Sequence, residues 1–374
     1  MVYLWKQRAA QVLVVLVILA AGSVFAATFY IDSSAGNDSN AGTNSAAAWL
    51  SLAKVNATTF VAGDSILFKA GGSWTGQLNP KGSGATNNPI VVDKYGSGAK
   101  PLIDGNGGAG NGAVYLFNQS FWEIANLEVV NGGTTNADRR GIYLAASNSG
   151  TIHHLYVRNC DIHHIRGFLS ASDGDTAAKR TAGILVEVVD DTPTATRFNN
   201  ILIEGCNIYS VTNEGIVAQN NKSSNSDYPG TTAWEARKIT SLVIRNNTIS
   251  DISKNAIIVR GADESCVIER NVCCNTATSD TGNTMFTSSC RGTVFQYNEG
   301  YLNRAGTVRD GSLYDADLRS PLVVFQYSYS HDNSHGLFWQ YPAATGGPNT
   351  NVVVRYNISR NDQGNIFSFT LTEP

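Results

Sequence analysis

The chain has 374 residues, of which only 15% are charged and 42% hydrophobic, with 36 glycines against nine prolines. This excludes a coiled coil or a charged disordered chain and leaves enough apolar material for a sizeable core. Twenty-seven basic against thirty acidic residues give a net charge of −3, so no whole-chain basic field exists to hold nucleic acid or an acidic membrane.

Taken in chain order, Lys6 and Arg8 precede an apolar run from Ala9 to Ala21, and Val24-Phe25-Ala26 has the small-residue spacing of a cleavage site. The run is short for a membrane span. Residues 1–26 are expected to be a signal peptide and 27–374 a single exported domain, with no membrane attachment after cleavage. Residues 46–56, carrying Trp49, Leu50, Leu52, Ala53 and Val55, read as a short amphipathic helix that covers one end of the domain. Export permits disulfides, but six cysteines do not make a disulfide scaffold, and their pairing is unreadable. Cys160 and Cys206 read as a stacked pair more readily than as a disulfide.

From residue 121 onward one phrase recurs: an apolar strand, a polar turn residue, a second apolar strand. It is seen in Trp122-Glu123-Ile124-Ala125-Asn126-Leu127-Glu128-Val129, in Ile201-Leu202-Ile203-Glu204-Gly205-Cys206-Asn207-Ile208 and in Leu242-Val243-Ile244-Arg245-Asn246-Asn247-Thr248-Ile249. The turn column reads 126, 160, 206, 247, 271, 298, 328 and 357, with steps from 24 (271 − 247) to 46 (206 − 160) residues. A third strand, usually introduced by Gly, precedes each phrase, as in Gly141-Ile142-Tyr143-Leu144, Gly183-Ile184-Leu185-Val186 and Gly215-Ile216-Val217-Ala218. Three strands per turn, each stacked about 4.8 Å from its copy, make an all-β, right-handed parallel β-helix. Asn suits the corner because it tolerates left-handed backbone and bonds to nearby peptide groups, and stacked copies can form a ladder. The longer steps are the same coil with insertions at 132–140, 166–182 and 220–240. Asn365-Ile366-Phe367-Ser368-Phe369 reads as one more stacked strand, with no evident cap after it.

The segment Tyr30-Ile31-Asp32-Ser33-Ser34-Ala35-Gly36-Asn37-Asp38-Ser39-Asn40-Ala41-Gly42-Thr43, followed by Trp49-Leu50-Ser51-Leu52 and Gly63-Asp64-Ser65-Ile66-Leu67-Phe68, resembles the opening of secreted bacterial β-helix proteins, a group that includes pectate and alginate lyases. Phe325-Gln326-Tyr327-Ser328-Tyr329-Ser330-His331-Asp332-Asn333 is similar to a β-helix repeat phrase. The resemblance spans most of residues 28–360. It implies a pectin lyase-like solenoid with a substrate groove along the Gly-introduced strands, and it carries over no catalytic motif.

Alternation along those strands places Ile142, Ile184, Ile216 and Ile257 inside and Tyr143, Glu187, Gln219 and Arg260 outside. Tyr314 and Ala316 fall inside, Asp315 and Asp317 outside; Gln340 is expected to continue the outward row, and Lys222 to stand at the loop entrance. β-Elimination of an acidic polysaccharide needs a cation to neutralise the uronate and a base for its C5 proton. Lys222 or Arg260 is the candidate base, with Glu187, Asp315 and Asp317 as oxygen ligands for Ca²⁺. Arg139, Arg140, Lys179 and Arg180 are candidate contacts to sugar carboxylates, with Tyr143, Gln219, His331 and Gln340 as further substrate contacts. Asp315 and Asp317 also support an inverting glycoside hydrolase, since alternate strand residues lie nearly 7 Å apart and inverting pairs about 6.5–9.5 Å. The first expectation is a secreted, monomeric lyase of an extracellular acidic polysaccharide; the hydrolase is the second and a noncatalytic carbohydrate-binding β-helix the third. The pairs His153-His154 and His163-His164 read as structural, because neighbours on a strand face opposite sides.

Overall fold

The computed structural model describes residues 26–169, 179–220, 228–306, 310–341 and 349–370. Residues 1–26, expected to be a signal peptide, lie almost wholly outside the described residues, as does Lys222. Among the described residues no helix is long and apolar enough to cross a membrane.

The strands form three long parallel sheets of eleven, ten and nine strands, each ordered as the chain runs. One coil shows the plan. Thr240–Arg245 joins the first sheet, Thr248–Ile252 the second and Ile257–Arg260 the third; the next coil repeats this with Val267–Glu269, Val272–Cys274 and Met285–Ser288 in register. This is a parallel β-helix, and its core is the column of inward side chains. In the third sheet Ile142, Ile184, Ile216, Ile257, Met285, Tyr314 and Phe338 lie in one register column and are buried together.

The corner between the first and second sheets is made by two residues, which the repeat alone does not separate. The left-handed position is held by Asn126, Asn159, Gly205, Asn246, Arg270, Tyr297, Tyr327 and Tyr356, all with φ between +52° and +65°. The polar ladder is the next residue along. Asn271 Nδ2 donates to Asn298 Oδ1 at 3.0 Å, and Asn247 Nδ2 to Asn271 Oδ1 at 2.9 Å; Ser328 and Asn357 extend the line through backbone donors. Asn126 therefore belongs to the left-handed column, and Leu127 stands in the ladder position of the earlier coil, where Asp161 N bonds its carbonyl. Cys160 and Cys206 occupy that column as buried free thiols, and all six cysteines are free.

The glycines that introduce the third-sheet strands are needed for close approach. A Cβ on Gly141, Gly183 or Gly215 would come within 2.6, 2.8 and 2.5 Å of the carbonyl oxygen of the following coil. Near the N-terminal end, Ser51 caps the helix Leu52–Ala57 by accepting from Lys54 N, and Leu52 and Val55 are buried in the core. This helix is shorter than the expected 46–56; Trp49 instead makes an isolated parallel bridge to Ile31. The insertion at 220–240 carries a second helix, Thr232–Arg237, where the sequence pattern shows only an inserted segment.

Candidate active site

A cleft of about 270 Å³ opens on the outer face of the third sheet, toward its C-terminal coils. Its floor is built by the strand Tyr314–Ala316. Tyr314 points inward, where its hydroxyl donates to Ser328 Oγ at 2.7 Å and accepts from Asn298 Nδ2 at 3.2 Å. That anchorage to the ladder fixes the parity of the strand, so Asp315 must face out. In register, Asp315 lies between Phe286 of the preceding coil and Trp339 of the following one. Two aromatic neighbours and the cleft walls leave it 4% exposed.

Asp315 Oδ2 accepts from Asn283 Nδ2 at 3.0 Å, while its Oδ1 is buried with no hydrogen-bond partner among the described residues. The backbone N–H groups of Gly311 and Ser312 both donate to Asn283 Oδ1 at 3.0 Å, which obliges the Asn283 amide to turn its N–H toward Asp315. Burial pushes the Asp315 carboxyl well above the usual carboxylate range, and the nearby charges of Asp317 and Asp310 push it the same way. Asp317, one position past the strand, is raised to about 6 by burial, against the opposing pull of its hydrogen bond from Leu318 N–H and of the Arg260 guanidinium. Asp310 is the third carboxyl in the cleft and is also raised by burial, although Lys179 and Lys254 oppose the rise. Three acids thus share one dehydrated space, each shifted toward holding its proton, an arrangement suited to proton transfer.

The cations around them are engaged. Lys179 Nζ lies 3.3 Å from Glu214, a fully buried carboxylate, and Lys254 Nζ lies 3.4 Å from Asp280. Burial lowers the Lys179 pKa. Burial would also lower Lys254, but Glu214, the Lys179 amine and Asp280 outweigh it and the net shift is upward. Arg260 Nη1 donates to Gln219 Oε1 at 3.3 Å, and its guanidinium lies 5.6 Å from the Phe286 ring centre.

The expected trough therefore divides. Arg260, Asp315 and Asp317 come together in the cleft, as the outward parity required, and Lys179 joins them from its loop. Glu187 does not join them: fully buried, it accepts from Tyr143 Oη at 2.6 Å, Arg180 Nε at 2.9 Å and Gln219 Nε2 at 3.1 Å. Tyr143, Arg180 and Gln219 thus serve a buried carboxylate and do not line the cleft. The calcium trio of Glu187, Asp315 and Asp317 is not assembled, and among the described residues no group of three or more His, Cys, Asp or Glu could hold a metal ion. Arg139 spends its guanidinium on the carbonyls of Gly107, Thr135 and Arg166, and Arg140 lies over the Tyr143 ring, bound to Gly110 O and Asp138. Both are buried loop clamps. His331 belongs to the second sheet, stacked between Tyr301 and Tyr329 and bonded to Glu299 and Asp332. Gln340 aligns with the inward Ala316, so Trp339, not Gln340, continues the outward row.

Asp310, Lys254, Asn283, Phe286, Trp339 and Tyr341 were not foreseen. Trp339 was within reach of strand alternation, but the later coils carry an extra residue between the introducing glycine and the first inward side chain. Asp310 and Lys254 enter from loops, where alternation gives no information.

No protein-family model matches the chain. A lacto-N-biosidase from Bifidobacterium longum subsp. longum is 26% identical over an alignment of 439 residues that takes in 93% of this chain and 26% of that protein. Among solved structures, a GH136 lacto-N-biosidase from Eubacterium ramulus superposes with a TM-score of 0.81 at 23% identity, covering 91% of this chain and 61% of that one. An alginate lyase from Paenibacillus sp. str. FPU-7 superposes with a TM-score of 0.59 at 15% identity, covering 91% and 98%. The chain spans about a quarter of the length of the curated relative. These likenesses establish the class: a right-handed parallel β-helix of the pectin lyase-like kind.

Proposed function

We propose that the cleft hydrolyses a glycosidic bond, with Asp317 as the ionised carboxylate and a neighbouring protonated carboxyl as the proton donor. The observation that carries this reading is the clustering of Asp310, Asp315 and Asp317 in one buried cleft with their proton affinities all raised. Glycosidases need one carboxyl that holds its proton at working pH and one that gives it up. Asp315, the most deeply buried, keeps its proton and has a free Oδ1 to present to a leaving oxygen. Asp317, near 6 and beside Arg260, is ionised at neutral pH and attacks the anomeric carbon or activates water. The relatives named lacto-N-biosidase support hydrolysis over elimination. Elimination would need a cation devoted to a uronate carboxylate, whereas Lys179, Lys254 and Arg260 are already bound to Glu214, Asp280 and Gln219. The opening of the chain supports export, and with it an extracellular oligosaccharide as the substrate.

The test is a series of single replacements, Asp310→Asn, Asp315→Asn and Asp317→Asn, assayed on natural oligosaccharides and on aryl glycosides with good leaving groups. Loss of the proton donor should be partly rescued by an aryl leaving group that needs no protonation; loss of Asp317 should not. The anomer formed first reports the working pair, since carboxyls about 5 Å apart give retention and wider pairs inversion. Products with an unsaturated, ultraviolet-absorbing end would overturn the reading.

A further inference from the structure

Beside Asp315, the cleft has one wall made of aromatic side chains whose placement is set by the same strand. Trp339 pairs with Asp315 in register, one coil toward the C-terminus, and its indole N–H donates to Thr370 Oγ1 at 3.0 Å, which fixes the ring. Two residues on, Tyr341 returns to the acidic strand: its N–H donates to the carbonyl of Ala316, between the two aspartates, at 3.1 Å. Asn349 Nδ2 ties the same two backbones together, donating to Ala316 O at 2.6 Å and Tyr341 O at 3.2 Å. The two rings lie 5.5 Å apart at 59°, an angled corner, and Tyr341 is 39% exposed at its mouth. On the opposite side of Asp315, Phe286 is covered by the Arg260 guanidinium. Phe286 is thus occupied, which leaves Trp339, 8% exposed, and the more open Tyr341 as the aromatic side for a ring entering the cleft.

Resting on the hydrolase reading, we propose that Trp339 and Tyr341 form the subsite for an uncharged pyranose, whose C–H face packs on the two rings and whose glycosidic oxygen is thereby held at Asp315. Two observations exclude an acidic sugar from this subsite. Among the described residues that line the cleft, the cations Lys179, Lys254 and Arg260 are held by Glu214, Asp280 and Gln219. Asp317, ionised at neutral pH, would repel a uronate placed beside it.

The experiment is a binding titration that needs no turnover. Asp317→Asn in the full chain is titrated with lactose, cellobiose and N,N′-diacetylchitobiose, and separately with digalacturonate, by ligand-observed NMR. At least one neutral disaccharide should bind saturably, with saturation transfer strongest on the C–H protons of one ring face, and digalacturonate should not. Adding Tyr341→Ala, at an exposed position where the fold tolerates the change, should weaken that binding roughly tenfold, the fold-change of about 1.4 kcal/mol. Trp339→Phe should weaken it less than Tyr341→Ala, because a ring is kept. Equal or tighter binding of digalacturonate, unchanged affinity in Tyr341→Ala, or no saturable binding of any neutral disaccharide would each overturn the proposal. Binding as expected in a chain that cleaves no glycoside would retire the hydrolase reading alone.

Discussion

Asp315 and Trp339 occupy one outward column a single coil apart, and from that alignment come both the dehydration of the acid and the ring beside it. Outward parity for Asp315 and Asp317 was legible because strand alternation is strict and the inward Tyr314 is unambiguous. Asp310 and Lys254 were not, since they arrive from connections with no periodicity to follow, and Lys179 was legible only as a loop cation. Burial of Asp317 costs stability. Its folded pKa of about 6 exceeds the ordinary 3.8, so the native state binds more protons across that interval and stability is lost as pH rises through it. Asp317→Asn should therefore be more stable than the parent at pH 8, by on the order of 2–3 kcal/mol, and no more stable at pH 4. Urea unfolding at the two pH values checks this, and equal effects at both would contradict the assigned shift. Asn283→Ala should act differently. It strips Asp315 of its one described donor and leaves the Gly311 and Ser312 N–H groups unpaired, so the proton affinity of Asp315 rises further. The alkaline limb of the pH–rate profile should move up and the rate fall at least tenfold, as for loss of a charge-directed hydrogen bond. An unmoved profile would make Asn283 purely structural.

The coil is the element of this molecule, and its period was readable because every turn buries the same three apolar strands. What the sequence concealed was a one-residue offset at the corner. Asn is favoured both in the left-handed position and in the ladder beside it, so Asn126 could be aligned with either; only the hydrogen bonds separate the columns. The ladder predicts a specific cost. Asn271 is fully buried, donates to Ile244 O and Asn298 Oδ1, and accepts from both the backbone and the amide of Asn247. Asn271→Leu leaves those buried groups unpaired and should cost about 2–5 kcal/mol. Asn246→Gly, at the exposed left-handed position one residue earlier, gives up only a 3.4 Å bond to Glu204 and should change stability by less than about 0.5 kcal/mol. Denaturant midpoints for the two variants check the distinction; similar losses in both would mean the ladder is not what holds the corner.

Across the whole molecule, the solenoid gathers residues far apart in sequence onto one face, and most charges so gathered are paired between coils. Glu123 with Arg158, Glu204 with Arg245 and the Glu187 network are of this kind. That is why an outward ionic row, sound as a statement of parity, overestimated the site: ladders consume most of its members, and the clustered carboxyls of the cleft are left without that relief. The hydrolytic use of the cleft is tested most directly by turnover in H₂¹⁸O. Mass spectrometry of the oligosaccharide products should show one ¹⁸O at the newly formed anomeric hydroxyl, with the label absent when Asp317→Asn replaces the parent chain. Cleavage without incorporated ¹⁸O would establish elimination, and intact substrate after incubation with the parent protein would leave a carbohydrate-binding β-helix; either result contradicts a hydrolytic cleft.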